Sequence, residues 1–281
     1  MKRKLFLIFT ILVISFSIII TLISCKNTVI STARSETVTT NNISENKQSS
    51  KSTETTNNTE SSSKIDETTS TSIKSYLPQG EVNFKTDDGI NINGNIFGSF
   101  NRIVILSHMF PTDQTSWFEF AKFLNENKIA AMTYDFRGYG KSEGKKEIAN
   151  IYKDLEAAIK YISQYNLDKV YLMGASMGGT ASIIVAAETK VSGLITLSAP
   201  DEFKGLSAKN EIKNLKCPKL FIASKGDTYA FKSANFFYDN SNEPKEKLIL
   251  DGKSHGTFIF NEEPENGNKI KEAVTIFLNK N

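Results

Sequence analysis

The serine between two closely spaced glycines is the residue of this sequence whose surroundings most favour a role as a nucleophile. Residues 174–178 read GASMG, a Gly-x-Ser-x-Gly pattern, with an apolar run over Lys169–Met173 before it and a helical pattern after it. A serine in that context lies on a sharp strand-to-helix turn, and Gly174 and Gly178 remove the side chains that would collide there. The turn lifts the hydroxyl above the sheet. We therefore predict Ser176 to be a nucleophile and prefer this interpretation to an incidental glycine-rich turn.

Two further segments match turns that accompany such a serine in one known family. Residues 135–142 read DFRGYGKS, which matches D-x-R-G-x-G-x-S, and residues 107–111 read SHMFP, which is similar to a His-Gly-x segment. With GASMG these motifs make the chain resemble the α/β-hydrolases from about Glu81 to Leu278. The resemblance implies a serine hydrolase. It also implies that Asp135 and Arg137 form a paired structural brace in the turn that carries them.

A serine hydroxyl is a weak nucleophile until a base takes its proton. The chain has only two histidines, His108 and His255. In the α/β-hydrolases the chain order is nucleophile, acid, base, so the resemblance implies that the base follows Ser176. That order selects His255.

The acid of this family is expected at the end of a strand between the nucleophile and the base. Asp227 comes just after the apolar run Leu220–Ala223, and Asp201 is the alternative one strand earlier. A carboxylate in this position fixes the imidazole tautomer and stabilises the imidazolium. We expect Asp227 to be the acid and Asp251 to be a turn residue.

Hydrolysis through a tetrahedral intermediate requires two amide donors to its oxyanion. The N–H of Met177, directly after the nucleophile and at a helix N-terminus, is expected to be one of them. The family resemblance implies the amide of Phe110 as the second. Met109 stands where the family usually has Gly, and His108 is then a structural residue beneath the loop.

Alternating strands and helices are expected to position these residues. Apolar runs and helical periods alternate along the chain, which is typical of a mainly parallel sheet covered by helices on both faces. Strands are predicted over 81–86, 90–97, 102–106, 129–134, 169–173, 191–197, 220–223 and 247–250, and helices over 117–124, 148–165, 177–187, 231–238 and 267–278. These elements give an α/β fold with about eight strands and a leading antiparallel hairpin. Only about twenty residues separate the sixth and seventh strands, so we expect a minimal cap, as in compact carboxylesterase and dienelactone-hydrolase-like members.

The first 77 residues differ in composition from the rest. Residues 1–24 have a cationic start and a long apolar run, the layout of a secretory signal, and LISC at residues 22–25 resembles a bacterial lipobox. We predict a lipoprotein signal peptide over 1–24, a lipid on Cys25, and a disordered Ser/Thr/Asn-rich tether over 25–77. The alternative is an uncleaved signal anchor. The remaining residues, 78–281, form the predicted hydrolase domain, held at the outer face of the bacterial cytoplasmic membrane.

The charge balance and the motifs limit the functions to consider. Three of the 34 basic residues lie in 1–24, so the rest of the chain has 31 basic and 31 acidic side chains, which gives no footprint for nucleic acid. Lipidated Cys25 leaves Cys217 without a disulfide partner, and we expect Cys217 to be buried. The expected reaction is hydrolysis of a small-molecule carboxylic ester through an acyl-serine, with neither metal nor organic cofactor. The alternatives are a serine peptidase or acyl-peptide hydrolase, and a non-catalytic surface-binding lipoprotein on the same fold.

Overall fold

The computed structural model describes residues 76–281, in which strands and helices alternate along the chain. The strands are β1 (Gly80–Lys85), β2 (Asn91–Phe97), β3 (Arg102–Ser107), β4 (Ala130–Tyr134), β5 (Lys169–Ala175), β6 (Gly193–Leu197), β7 (Glu202–Phe203), β8 (Leu206–Ser207), β9 (Lys219–Ser224) and β10 (Lys245–Leu250). The helices are α1 (Phe118–Glu126), α2 (Tyr152–Ile162), α3 (Met177–Glu188), α4 (Thr228–Asn240), α5 (Ile259–Glu262) and α6 (Pro264–Lys280).

Eight of these strands form one sheet in the order β1-β2-β4-β3-β5-β6-β9-β10. β1 pairs antiparallel with β2, and β2 pairs antiparallel with β4. The remaining pairs, from β4 across to β10, are parallel. The predicted fold class, a mostly parallel sheet of eight strands with a leading antiparallel hairpin, is confirmed.

Alternating side chains of the central strands fill two separate hydrophobic layers. On β3, Ile103 and Ile105 belong to the layer that also contains apolar residues of α2, α3 and α4. Val104 and Leu106 belong to the other layer, with apolar residues of α1 and α6. All four side chains are fully buried, which is worth about 1.5–3 kcal/mol for each of them. Because both faces are covered, the parallel strands consist of apolar runs rather than alternating polar and apolar residues.

The segment between β6 and β9 contains a short hairpin that the sequence pattern did not predict. β7 and β8 pair antiparallel with Phe203 opposite Leu206. The two turn residues, Lys204 and Gly205, have φ values of 48° and 86°. Positive φ at both positions is the geometry of the two-residue turn that best suits the twist of paired strands. Strands of two residues are too short to leave a periodic pattern.

The prediction for residues 1–75 cannot be compared with this architecture. The predicted signal peptide, Cys25 and the tether up to residue 75 lie outside the described residues. Within the described part, residues 76–281, no helix is both long and apolar enough to cross a membrane.

Candidate active site

Ser176 occupies a strained turn between β5 and α3. Its φ and ψ are 49° and −122°, in the left-handed half of backbone space that residues with a side chain rarely adopt. The N–H of Ser176 donates to the carbonyl oxygen of Leu197 at 2.9 Å, which ties the turn to β6. Strain of this kind costs about 1–3 kcal/mol and persists only where the surroundings impose it. The strain therefore falls on the residue that the motif singles out.

The two glycines of the motif are needed because other backbone passes very close to them. A Cβ at Gly174 would lie 2.2 Å from the carbonyl oxygen of Gly178. A Cβ at Gly178 would lie 2.4 Å from the carbonyl oxygen of Ser107 and 2.6 Å from that of His108. The loop after β3 consequently rests directly on the turn that carries Ser176.

His255 and Asp227 lie close together at the same edge of the sheet. They follow the neighbouring parallel strands β10 and β9, whose carboxyl ends meet there. His255 Nδ1 is 2.6 Å from Asp227 Oδ2. Because the carboxylate can only accept, the pair favours a proton on Nδ1 and leaves Nε2 as an acceptor. A Cβ on Gly256 would lie 3.6 Å from the Cβ of Ala175, so the histidine loop lies beside the residue that precedes Ser176.

Asp201, the alternative acid, has different partners. Its Oδ1 accepts a hydrogen bond from Ser233 Oγ at 2.9 Å, and its Oδ2 is 3.4 Å from Lys209 Nζ. Asp251 is exposed, and its carbonyl oxygen accepts from Asn266 Nδ2 at 3.2 Å. The histidine is thus paired with Asp227, and Asp201 and Asp251 belong to the surrounding loops.

His108 is buried beneath the loop that follows β3, and both of its ring nitrogens are occupied. Nε2 accepts the backbone N–H of Phe136 at 3.0 Å, so Nδ1 carries the proton and donates to the carbonyl oxygen of Met109 at 3.0 Å. Burial lowers the pKa of His108 to about 4. A neutral imidazole with both nitrogens in use has a structural role, as expected.

The candidate oxyanion donors are Met177 in the Ser176 turn and Phe110 in the loop after β3, and the loop and the turn meet at Gly178. Met177 is the first residue of α3, where helix N–H groups have no intrahelical partner and the helix dipole is positive. Phe110 is partly exposed in the loop that rests on Gly178. Met109, in the place of the usual Gly, is fully buried, and a Cβ on Gly256 would fall 2.4 Å from its Sδ. The Met109 side chain therefore packs against the residue after His255.

The expected pairing of Asp135 with Arg137 is wrong. Arg137 Nη2 is 2.7 Å from Asp154 Oδ1 on α2, and Nη1 is 2.9 Å from Asp88 Oδ2. Asp135 instead accepts two hydrogen bonds from Gln114. The backbone N–H of Gln114 donates to Oδ1 of Asp135 and the side-chain Nε2 of Gln114 donates to Oδ2, both at 2.9 Å. Residues two apart in this turn point to different sides, so each braces a different part of the fold.

Glu263 is a residue of the site region that the sequence reasoning missed. Its Oε1 accepts the backbone N–H groups of Lys253 at 2.8 Å and Ser254 at 3.0 Å, directly before His255. The hydrogen bond from Lys253 has the largest effect on the pKa of Glu263. Together with the bonds from Asn266 and Ser254, it lowers that pKa to about 2. A glutamate immediately before a proline that opens a helix is the signal that could have identified it.

Among residues 76–281, no group of three or more His, Cys, Asp or Glu side chains is arranged to hold a metal ion. Cys217, the cysteine of this part of the chain, is buried and has a free thiol.

Comparison with known proteins finds hydrolases among the proteins that this chain is similar to. Residues 98–204 match a family described as serine aminopeptidase, S33. The chain is similar to α/β hydrolase domain-containing protein 17B of Homo sapiens, at 26% identity over 141 residues, 44% of this chain and 49% of that protein. It is also similar to monoglyceride lipase of Rattus norvegicus, at 30% identity over 36% of each chain. These matches span about half the length of the curated relatives or less.

A solved structure covers more of the chain. The esterase Pf2001 of Pyrococcus furiosus superimposes with a TM-score of 0.62 and 21% identity, over 75% of this chain and 92% of that one. At 21% identity the superposition shows a shared fold and no more than that. The chain therefore has the α/β-hydrolase fold.

Proposed function

We propose that this chain is a serine hydrolase that cleaves carboxylic esters through an acyl-serine, with Ser176, His255 and Asp227 as its catalytic residues. The observation that carries the proposal is the conjunction of a strained serine turn with a His255–Asp227 pair 2.6 Å apart in an adjoining loop. Esterase and lipase relatives support hydrolysis as the reaction class.

In the acylation step, His255 Nε2 takes the proton of the Ser176 hydroxyl as its oxygen attacks the ester carbonyl. Asp227 holds the Nδ1–H tautomer and stabilises the imidazolium that forms. The negative oxygen of the tetrahedral intermediate is bound by the N–H groups of Met177 and Phe110. The intermediate collapses when the imidazolium gives its proton to the leaving alcohol.

In the deacylation step, water replaces the alcohol. His255 takes a proton from the water as it attacks the acyl-serine carbonyl, and it returns that proton to Ser176 Oγ when the acid leaves. The same two amides bind the second oxyanion. The sequence of steps needs no metal or organic cofactor.

Replacement of Ser176 by Ala tests the proposal. We expect Ser176→Ala to lose turnover of 4-nitrophenyl acetate and butyrate and to lose labelling by a fluorophosphonate probe. Ser163→Ala, which changes an exposed serine at the end of α2, is the control and should keep both. Undiminished turnover in Ser176→Ala would refute the assignment. Absence of turnover and labelling in the unmodified chain would favour a non-catalytic binding protein.

A serine aminopeptidase is the second candidate, because residues 98–204 match that family's description. The two reactions share every step, and they differ in whether the leaving group is an amine or an alcohol. Comparing kcat/KM for aminoacyl 4-nitroanilides and for 4-nitrophenyl esters of the same acyl groups separates them. A ratio that favours the anilides would replace the esterase proposal.

We also propose that the enzyme is anchored to the outer face of the cytoplasmic membrane through a lipid on Cys25. The support is the sequence of residues 1–25, in which a cationic start and an apolar run end at LISC. The full-length protein produced in bacteria with an alkynyl palmitate analogue should carry the label and sediment with membranes. Cys25→Ala should lose the label. A labelled Cys25→Ala variant would contradict the site.

A further inference from the structure

The hairpin β7–β8 connects two loops that carry proposed catalytic groups. On one side, the Phe203 ring lies against that of Phe110, with the centroids 5.9 Å apart. On the other side, the Tyr229 hydroxyl, two residues after Asp227, donates to the carbonyl oxygen of Glu202 at 3.1 Å. The hairpin therefore runs between the oxyanion loop and the acid loop. Groups at its turn lie beside the oxyanion loop.

Lys204 places a positive charge beside the oxyanion loop. Its Nζ lies 4.3 Å from the centroid of the Phe110 ring and 5.5 Å from that of Phe203. An ammonium over aromatic faces keeps its charge and gains a modest attraction that restricts where it points. Lys204 lies in the turn of the hairpin, where its φ of 48° is in the left-handed region.

The acidic groups of the hairpin do not neutralise Lys204. Asp201 and Glu202 both pair with Lys209, at 3.4 Å and 2.8 Å. Among residues 76–281, Lys204 forms no ion pair with a carboxylate. Asp113, the acid of the neighbouring loop, accepts from the N–H and hydroxyl of Thr115 through Oδ1. Lys204 thus has a charge that a substrate can meet.

A second exposed ammonium, that of Lys146, lies over an aromatic ring that contacts His108. Lys146 Nζ is 4.5 Å from the centroid of the Tyr139 ring, and that ring is 5.0 Å from the ring of His108 beneath the oxyanion loop. Burial lowers the pKa of His108, the charges of Asp135 and Asp113 raise it, and the charge of Lys146 lowers it by a smaller amount. Lys146 therefore adds a second positive charge in the neighbourhood of the loop that carries Phe110.

We infer that the site prefers esters that carry a negative charge near the scissile bond, on an aryl group that can lie against Phe110 and Phe203, and that Lys204 recognises this charge. The inference rests on the proposed function and narrows its substrate class. It also disfavours substrates with a free α-amino group, because their positive charge would approach Lys204 and Lys146.

The test compares 4-acetoxybenzoate with its neutral counterpart, methyl 4-acetoxybenzoate, by the release of acetate. The measured quantity is the ratio of kcat/KM for the anionic to the neutral ester. We expect this ratio to fall about fivefold in Lys204→Gln and further in Lys204→Glu; fivefold corresponds to about 1 kcal/mol, the Coulomb energy of unit charges about 4 Å apart in water. Raising NaCl from about 0.05 M to about 0.5 M should lower the ratio in the unmodified enzyme and lower it by less in Lys204→Gln.

Lys128→Gln is the matched control. Lys128 also has a positive φ, 62°, and its Nζ lies 6.0 Å from the Phe100 ring. It precedes the amino end of β4, whereas the proposed catalytic residues follow the carboxyl ends of their strands. Its ratio should equal that of the unmodified enzyme. An equal ratio in Lys204→Gln, or an equal fall in Lys128→Gln, would overturn the inference.

A binding measurement keeps this result separate from the proposed function. The dissociation constants of 4-hydroxybenzoate and methyl 4-hydroxybenzoate can be obtained by NMR titration without any turnover. Lys204→Gln should weaken binding of the anion about fivefold and leave binding of the neutral ester unchanged. Unchanged anion binding would refute the role of Lys204, whereas intact anion selectivity without ester turnover would refute only the proposed function.

Discussion

Substitution of Glu263 by Gln tests whether a single carboxylate secures the loop that presents His255. Glu263 Oε1 accepts the N–H groups of Lys253 and Ser254, and its pKa is lowered to about 2, from an ordinary value of 4.5. A shift of that size corresponds to an upper limit of about 3 kcal/mol of stabilisation at neutral pH. Solvent around this partly exposed side chain reduces the figure, and Gln keeps one acceptor oxygen. We therefore expect Glu263→Gln to lower the free energy of unfolding by about 1–2 kcal/mol at pH 7.

The difference in free energy of unfolding between the unmodified protein and Glu263→Gln should become smaller as the pH is lowered. A carboxylate whose pKa is lower in the folded than in the unfolded chain stabilises the fold above the unfolded-state pKa of about 4.3. That contribution is lost as pH falls and the carboxylate is protonated near pH 2. The destabilisation of Glu263→Gln should therefore be constant from pH 7 to about pH 5 and shrink steadily below that value.

Urea unfolding of residues 76–281 between pH 7 and pH 3, followed by circular dichroism, measures this difference. Glu265→Gln is the control, because it removes the same charge at an exposed position two residues later, in the first turn of α6. The reasoning is refuted if Glu263→Gln and Glu265→Gln are equally stable, or if the effect of Glu263→Gln does not decline with acid. Because the loop carries His255, we also expect kcat for ester hydrolysis to fall more than KM changes.

Three further substitutions have expected outcomes. Arg137→Ala leaves Asp154, which is fully buried, without its ion-pair partner and should destabilise the domain by about 3–5 kcal/mol, measured as a lower urea midpoint. Gly178→Ala places a Cβ 2.4 Å from the carbonyl oxygen of Ser107, so the oxyanion loop must move, and we expect a fall in kcat of more than tenfold, checked against an unchanged far-ultraviolet spectrum. Met109→Ala opens a cavity beside the histidine loop and should cost about 2–5 kcal/mol in thermal unfolding, while an unaltered melting temperature would show that the packing of Met109 is dispensable.

The sequence predicts the sheet well because its signals are local. The run over Ile103–Leu106 is apolar at every position, as burial on both faces requires, and the helical period before Tyr165 persists for several turns. The turn at Ser176 is also locally specified on one side, since a side chain at Gly174 would collide with the carbonyl oxygen of Gly178, four residues later. Such features leave a pattern within about ten residues.

Contacts between distant segments leave no such pattern. Arg137 meets Asp88, 49 positions earlier, and Asp154, 17 positions later, so its pairing with the nearby Asp135 is a reasonable but wrong prediction. The hairpin that carries Lys204 is only two residues long on each side. Whether Asp201 or Asp227 reaches His255 depends on which strand lies beside β10, and only the sheet order decides that.

The position of β10 has a consequence for how the protein would lose activity. β10 is an edge strand, paired only with β9, and five of its six residues are partly exposed, whereas β5, which leads to Ser176, lies inside the sheet. Edge elements open in sub-global fluctuations that cost less free energy than complete unfolding. Amide hydrogens of β10 should therefore exchange with solvent before those of β5, and each opening would carry His255 away from a nucleophile that remains in place. Thermal inactivation is then expected to begin as a reversible separation of base from nucleophile, at temperatures where most of the sheet is still intact.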